Sequence, residues 1–436
     1  MHKKFIIFPI ALAALFALFS PSVGKSQEQI SCNISIDRSA VPELYFNNLT
    51  LLIQVNDSSD FTIIQGETTL EHTRVGANLM VTTQADEISL ILTPGTNLAN
   101  LCDVEKAHLL NDKQWAWTHG FDDNVNLIPA IEAFRDKNWP ATIFIIAKDF
   151  DKDRQEDWIV DEPFMNDTLL LDGWALGNHS WNHERFETSN PTAADYKADI
   201  LDGQTRLEAG IARSLIPQFK LMVFAAPNFS SAYDAPFAEA TETTDLKLIE
   251  TGNDFMLVVT GDAPFSTDET NTAQPIAGRN KIGRDISIET NPAAVIGKLD
   301  WMANNSNEDR RFWYNTLAHG NHEISMMSVL DYVWGNYGPG GTDEAWVSSS
   351  TEVYSYILNR DNATVDVELS EEIPDIPPGG SYPPPETEDE PTKLYLPMIT
   401  MMRSWLGLSS SDSPTQLPSV LLKVSSRGLE QLKTAE

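Results

Sequence analysis

The sequence predicts an α/β fold, a largely parallel sheet or barrel, with a small all-β, sandwich-like domain in front of it. Three observations predict this. Short β-type runs fill residues 28–105 and then stop, strands alternate with helices from about 112 to 360, and reactive side chains gather at the carboxyl ends of those strands. Repeated β/α units bury a parallel sheet, and such folds carry their chemistry at the carboxyl ends of the strands. At 436 residues the chain is long enough for more than one unit with a sizeable core.

Taken in order, "MHKKFIIFPIALAALFALFSPSVGKSQ" has Lys3 and Lys4, an apolar run from Phe5 to Phe19, and a small-residue site at Ser22-Val23-Gly24. That is the order of a secretory signal peptide, so residues 1–24 are set apart from the fold and the chain is expected to be secreted or at the cell surface. Beyond it no run of about 18 apolar residues occurs, and no spanning helix is expected in the mature chain. In 28–105, "LTLLIQV", "FTIIQ", "LMVTT" and "ISLILT" are separated by Asn, Asp, Gly and Ser and read as sandwich strands. Cys32 and Cys102, the only cysteines, bracket this segment, and an oxidising compartment favours a disulfide tying its first strand to its last.

From 112 the rhythm changes. "QWAWTHG" reads as a strand, "VNLIPAIEAFRDKN" as a helix and "ATIFIIA" as a buried strand. A helix follows through "AADYKADILDGQTRLEAGI", then strands at "LMVFAAP", "DFMLVVTGD" and "RDISIE", a helix "PAAVIGKLDWMANN", and a strand "FWYNTLAHG". The last helix is placed around "TDEAWVSSSTEVYSYILNR". Residues 371–392 are a proline-rich acidic linker, and 393–436 an apolar-led tail that is a candidate for surface attachment.

With 63 acidic against 30 basic side chains the formal charge is −33, which argues against nucleic acid as a partner and favours a neutral or cationic substrate. Five of the eight histidines fall in three short clusters: His119 in "THGFDDN", His179 and His183 in "GNHSWNH", and His319 and His322 in "LAHGNHE". Histidines four apart meet on one side of a helical turn, so His179 and His183 are expected to converge on a metal ion in that way. Either acid of Asp122-Asp123 completes a two-His, one-carboxylate site, leaving the other free to hold a proton. Zinc suits these ligands best, and cobalt or nickel would fit them too.

These residues resemble the polysaccharide deacetylase family, carbohydrate esterases with the NodB homology domain. The family's T-F-D-D block is similar to "GFDD", its H-S/T-x-x-H block to "HSWNH", and its closing L-x-H to "LAH" at 317–319. The resemblance covers roughly 112–360. It implies a distorted, incomplete (β/α) barrel of about seven strands and metal-dependent removal of N-acetyl or O-acetyl groups from an acetylated polysaccharide or oligosaccharide. It assigns Asp123, His179 and His183 to the metal, Asp122 to the catalytic base and His319 to the acid. Trp181, Pro227 and Phe229 are expected to line the substrate site, with a backbone N–H near Phe229 facing the oxyanion.

The sequence departs from the family where R-x-P-Y/W is usual. Ala225 stands in the arginine's place and Asn228 in the aromatic's, and Asn124 replaces a common glycine. Arg284, on a later strand, is the candidate to reach the base instead, and Asp262 the candidate to support His319. Asp300-Trp301 fits the family's fourth block by letters, yet lies in a predicted helix and reads as structural. His119 and His322 read as neighbours of the site or surface residues, and Trp115 and Trp117 as core. Two other functions stay open on these residues: a non-catalytic glycan-binding or adhesive protein, which the missing arginine favours, and a metal-dependent hydrolase of a non-sugar amide.

Overall fold

The structure, a computed structural model, describes residues 31–370 apart from 56–60, 92–101, 124–125, 151–159, 187, 253–254, 261–272, 276–279 and 321. The expected signal peptide, linker and tail lie outside the described residues, as do Asn124 and Asp262.

Eight strands come first: β1 (Ser31–Asp37), β2 (Leu49–Gln54), β3 (Thr62–Gln65), β4 (Thr68–Leu70), β5 (Thr73–Val75), β6 (Asn78–Thr83), β7 (Glu87–Ile91) and β8 (Val104–Lys106). They form two antiparallel sheets, one ordered β1-β7-β3-β4 and the other β5-β6-β2-β8. Alternation along the strands puts Ile34, Leu51, Ile53, Val81 and Leu90 into one core. Cys32 in β1 is disulfide-bonded to Cys102, just ahead of β8, with Cα atoms 6.3 Å apart, so the bond joins the two sheets.

The second unit contains β9 (Trp115–Asp122), β10 (Thr142–Ile145), β11 (Ala175–Asn178), β12 (Val223–Ala225), β13 (Leu248–Thr251), β14 (Met256–Val258), β15 (Ala273–Pro275), β16 (Lys281–Gly283), β17 (Phe312–Ala318) and β18 (Ala345–Ser348). β9, β10, β11, β12, β13 and β16 pair in parallel in that order, and β17 pairs in parallel with the other edge of β9. Between β16 and β17 only a bridge remains: the Asp285 N–H donates to Asn315 O at 3.0 Å, and the Leu317 N–H donates to Asp285 O at 3.1 Å. Along β9, β10 pairs only with Gly120–Asp122, and β18 fills the vacated edge of Trp115–Thr118. The result is a nearly closed, barrel-like sheet in which β18 is the eighth strand, close to the seven expected.

Helices α1 (Ile128–Arg135), α2 (Ala193–Ala209), α3 (Asp234–Ala240), α4 (Pro292–Asn305), α5 (Glu323–Asn336) and α6 (Ser350–Asn362) pack around the sheet. Every residue of β9 is buried because both faces are covered. Trp117, His119 and Phe121 face outward onto Phe134 of α1, while Thr118, Gly120 and Asp122 alternate to the inside. Phe144 fills the barrel floor; a Cβ on Gly177 would stand 2.3 Å from its ring and one on Gly120 2.8 Å, so glycine at these two positions admits the phenyl group.

Three sequence expectations are corrected. "RDISIE" is not a strand: β16 ends at Gly283, Asp285 supplies only the closing bridge, and Ser287–Thr290 is one helical turn. The alternating Ile286 and Ile288 mimic a strand, but the Asp285 carboxylate takes the Ser287 N–H at 2.8 Å and turns the chain. "DFMLVVTGD" gives a strand, β14, that runs antiparallel to β17 outside the ring. The segment read as the last helix starts with β18, and helix begins only at Ser350. After α6, β19 (Thr364–Ser370) returns to the first unit and pairs with the whole of β1, from Asp37↔Thr364 to Ser31↔Ser370.

Candidate active site

Asp122 is the last residue of β9, and alternation with Thr118 and Gly120 aims its carboxylate inward, where its side chain is 3% exposed. Arg284, just past β16, places Nη1 at 2.7 Å from one carboxylate oxygen and 2.8 Å from the other. Its guanidinium lies 5.5 Å from the Phe144 ring centroid and 5.3 Å from that of Phe229. Burial works to raise the Asp122 pKa, but the Arg284 charge, followed by His179 and His319, holds it below the ordinary carboxylate value. Ala225, where the family pattern has arginine, contributes its backbone oxygen instead, which accepts from His179 Nδ1 at 2.9 Å.

Asp123 leaves the strand in the left-handed region, with φ 72°. Continued alternation would turn it away from Asp122, and this torsion brings it back to the same mouth. Its Oδ1 stands 3.4 Å from Nε2 of both His179 and His183. Despite burial, the neighbouring imidazoles of His179, His183 and His319 hold its pKa at about 2.

The two histidines do not meet through a helical turn, as the spacing suggested. They lie in a non-helical loop after β11 with Ser180 at φ 67°, His183 at φ 54° and Glu184 at φ 57°. The loop is held from within: the Ser180 N–H donates to Asn178 Oδ1 at 2.8 Å and the His183 N–H to Ser180 Oγ at 2.8 Å. It is also held by α2, where Asp199 accepts the Trp181 N–H at its backbone oxygen (2.8 Å) and the Asn182 N–H at its carboxylate (2.9 Å). The ring centroids of His179 and His183 are 4.9 Å apart.

One donor atom from each of Asp123, His179 and His183 lies within 4.8 Å of the other two. The His179 Nδ1 contact with a carbonyl fixes the proton there and leaves a lone pair on Nε2. That Nε2 and Asp123 Oδ1 are both buried without a hydrogen-bond partner. Buried orphan acceptors are costly, and two aimed at one point beside a second imidazole have the chemistry of a divalent-metal site. The residues therefore fit the expected metal.

His319 follows β17 and is 40% exposed. Its backbone N–H and its Nδ1 lie 2.6 Å and 2.9 Å from Glu289 Oε1. That hydrogen bond raises the His319 pKa over the opposing effect of burial, with Asp122, Glu289 and Asp123 adding their charges. Glu289 sits in the Ser287–Thr290 turn, and sequence reasoning missed it by assigning the segment to a strand. The one available signal was an acid five residues after Arg284, beyond the turn-forming Asp285.

Trp181, 38% exposed beside the metal ligands, presents its indole to solvent at the mouth. Pro227 is buried and Phe229 half-buried against Arg284. The Phe229 N–H itself donates to Ala226 O at 3.2 Å. Asn228 Nδ2 donates to Glu184 Oε2 at 2.8 Å. His119 is a core residue: its Nδ1 is 2.8 Å from Thr316 Oγ1, it stacks on Phe134, and burial pushes its pKa down to about 3. Trp115 and Trp117 are buried. Asp300 in α4 accepts from the hydroxyls of Tyr332 and Tyr337 at 2.7 Å and 2.6 Å, which is a packing role.

Residues 111–247 match the sequence model for polysaccharide deacetylase. No curated protein matches the chain. Solved structures to which it is similar include the Xyl-CE4 domain of a multidomain xylanase from the hindgut metagenome of Trinervitermes trinervoides, at 13% identity over 55% of this chain and 89% of that one, with a TM-score of 0.32. Another is a family 4 acetyl xylan esterase from Clostridium thermocellum in complex with a cobalt ion, at 16% identity over 55% and 90%, TM-score 0.31. A third is the peptidoglycan deacetylase PdaC from Bacillus subtilis, at 13% identity over 57% and 94%, TM-score 0.31.

Proposed function

We propose that this chain, which belongs to the polysaccharide deacetylase family through its segment 111–247, is a secreted metal-dependent hydrolase that removes acetyl groups from a glycan. One observation carries the reading: a carboxylate gripped by arginine, a three-ligand donor set and a carboxylate-backed histidine open onto the same mouth. Asp123, His179 and His183 would hold the metal, with zinc first among candidates. When bound, it supplies Lewis acidity toward the acetyl carbonyl and the attacking water.

Asp122 takes the proton of the water as its oxygen adds to the carbonyl carbon. Arg284 keeps Asp122 ionised before that transfer and fixes the direction of its free lone pairs. As the carbon–nitrogen or carbon–oxygen bond breaks, His319 delivers a proton to the leaving amine or hydroxyl. Glu289 holds Nδ1 and leaves Nε2 to face the leaving group. Trp181 offers a flat apolar face on which a sugar ring can lie. The amine or alcohol stays on the glycan and acetate departs.

The non-catalytic reading drew on the missing arginine, and Arg284 on Asp122 removes that reason. Secretion rests on the Lys-plus-apolar leader at 1–24, and surface attachment on the apolar-led tail at 393–436. The test is acetate release by metal-loaded protein from a panel of N-acetylated and O-acetylated glycans. Release from at least one, abolished in His179→Ala protein, supports the proposal; no release from any sinks it in favour of a binding role.

A further inference from the structure

Glu289 faces two imidazoles. Its Oε1 serves the backbone and Nδ1 of His319, and its Oε2 stands 3.5 Å from Nε2 of His322. The carboxylate is 10% exposed, against 40% for His319 and 34% for His322, so a sunken acid is shared by two rings that reach the mouth. His322 begins α5 as its N-cap, yet its side chain makes no capping hydrogen bond. The ring is therefore not placed there to close the helix.

We propose that His322 is a positioning residue of the acid: by sharing Glu289 with His319, it sets how firmly His319 keeps the proton it delivers. This rests on the reading of His319 as the acid. A carboxylate beside one imidazole favours the protonated ring. A second imidazole on its other oxygen divides that field, because a proton on His322 offsets part of the Glu289 charge and opposes the charge on His319. Among the described residues, Asp122 and Asp123 at the end of β9 also act on His319, and both favour its proton. Held by Glu289 alone, His319 would release its proton reluctantly, and His322 moderates that hold.

The test follows the ring C–H resonances of His319 against pH in full-length, zinc-loaded protein, assigned by loss of the signal in His319→Ala. His322→Gln keeps an N–H donor for Glu289 and removes the charge; His322→Ala removes both. In each variant the His319 midpoint should rise by on the order of half a pH unit. The alkaline limb of kcat/KM on a substrate with a poor leaving group should move up with it. A structural role alone would leave the midpoint in place and let His322→Gln behave as wild type. An unchanged or lowered midpoint in His322→Gln overturns the inference, and that variant decides the matter should His322→Ala fail to fold. Wild-type protein without any turnover would instead count against the proposed function, and the resonance measurement would still decide the role of His322.

Discussion

Asp122 and Asp123 are adjacent in the chain and part company in three dimensions. One ends a strand against Arg284; the other turns through a left-handed torsion to meet two imidazoles. Asp123→Asn should therefore lower metal occupancy, read by metal analysis of purified protein. Asp122→Asn should keep the metal and lose turnover by roughly 10²- to 10⁴-fold, the usual range for a missing general base. Equal metal loss in both would show that the pair is split wrongly. The same scale holds a pH prediction. The carboxylate of Glu289 raises the His319 pKa, so the acid stays protonated to a higher pH than a free imidazole and is lost as pH rises through that raised value. Glu289→Gln removes the charge, so the alkaline limb of kcat/KM should move to lower pH; a limb that stays put or moves up would dissociate Glu289 from the acid. Arg284 was readable from the sequence because one arginine was missing and one stood later in the chain, just past β16. Glu289 was not, because alternating isoleucines imitate a strand whatever the chain does next.

At the scale of elements, the site depends on packing between strands rather than on any one motif. Phe144 lies against the places where Cβ atoms of Gly120 and Gly177 would be, and the same ring carries Arg284 on its face. Gly177→Ala should force the ring aside, lowering stability by about 1–3 kcal/mol as overpacking does, with turnover falling through the displaced arginine. Denaturant unfolding and kcat together check this; unchanged values in both would mean that the floor can yield without cost. The ligand loop after β11 leans on α2, where a Cβ on Gly203 would come within 2.7 Å of Asn178 Oδ1 and 2.9 Å of the Ser180 carbonyl carbon. The "HSWNH" pattern revealed that two histidines converge, whereas helical spacing was the wrong geometry for it. Three left-handed residues and a helix from elsewhere in the chain set the loop, and local pattern does not register them.

Across the whole molecule, two units are tied together by chain path. β19 follows the barrel-like unit and completes the edge of β1, while Cys32–Cys102 joins the two sheets of the first unit across 70 residues of sequence. Replacing both cysteines by serine should cost about 2–4 kcal/mol, the common range for a disulfide closing a long loop, seen as a lower midpoint in denaturant. Chelation is the complementary test at the other unit: stripped protein should lose activity and melt at a lower temperature, and zinc or cobalt should restore both, since a ligand bound only to the native state stabilises it. Full activity in rigorously metal-free protein would remove the metal from the reaction.

By itself the sequence determined the α/β class, the sandwich-like unit ahead of it, the three histidine clusters and the pairing of acids, because hydrophobic period and residue chemistry are local properties. Only the tertiary structure decided how Arg284 reaches Asp122, that Glu289 stands behind His319, that β16 and β17 nearly close the ring through Asp285, and that β19 returns to β1. The physical reason is sequence distance. Arg284 is 162 residues from Asp122 and Glu289 is 30 from His319, and such contacts are set by the register of strands and the direction of turns.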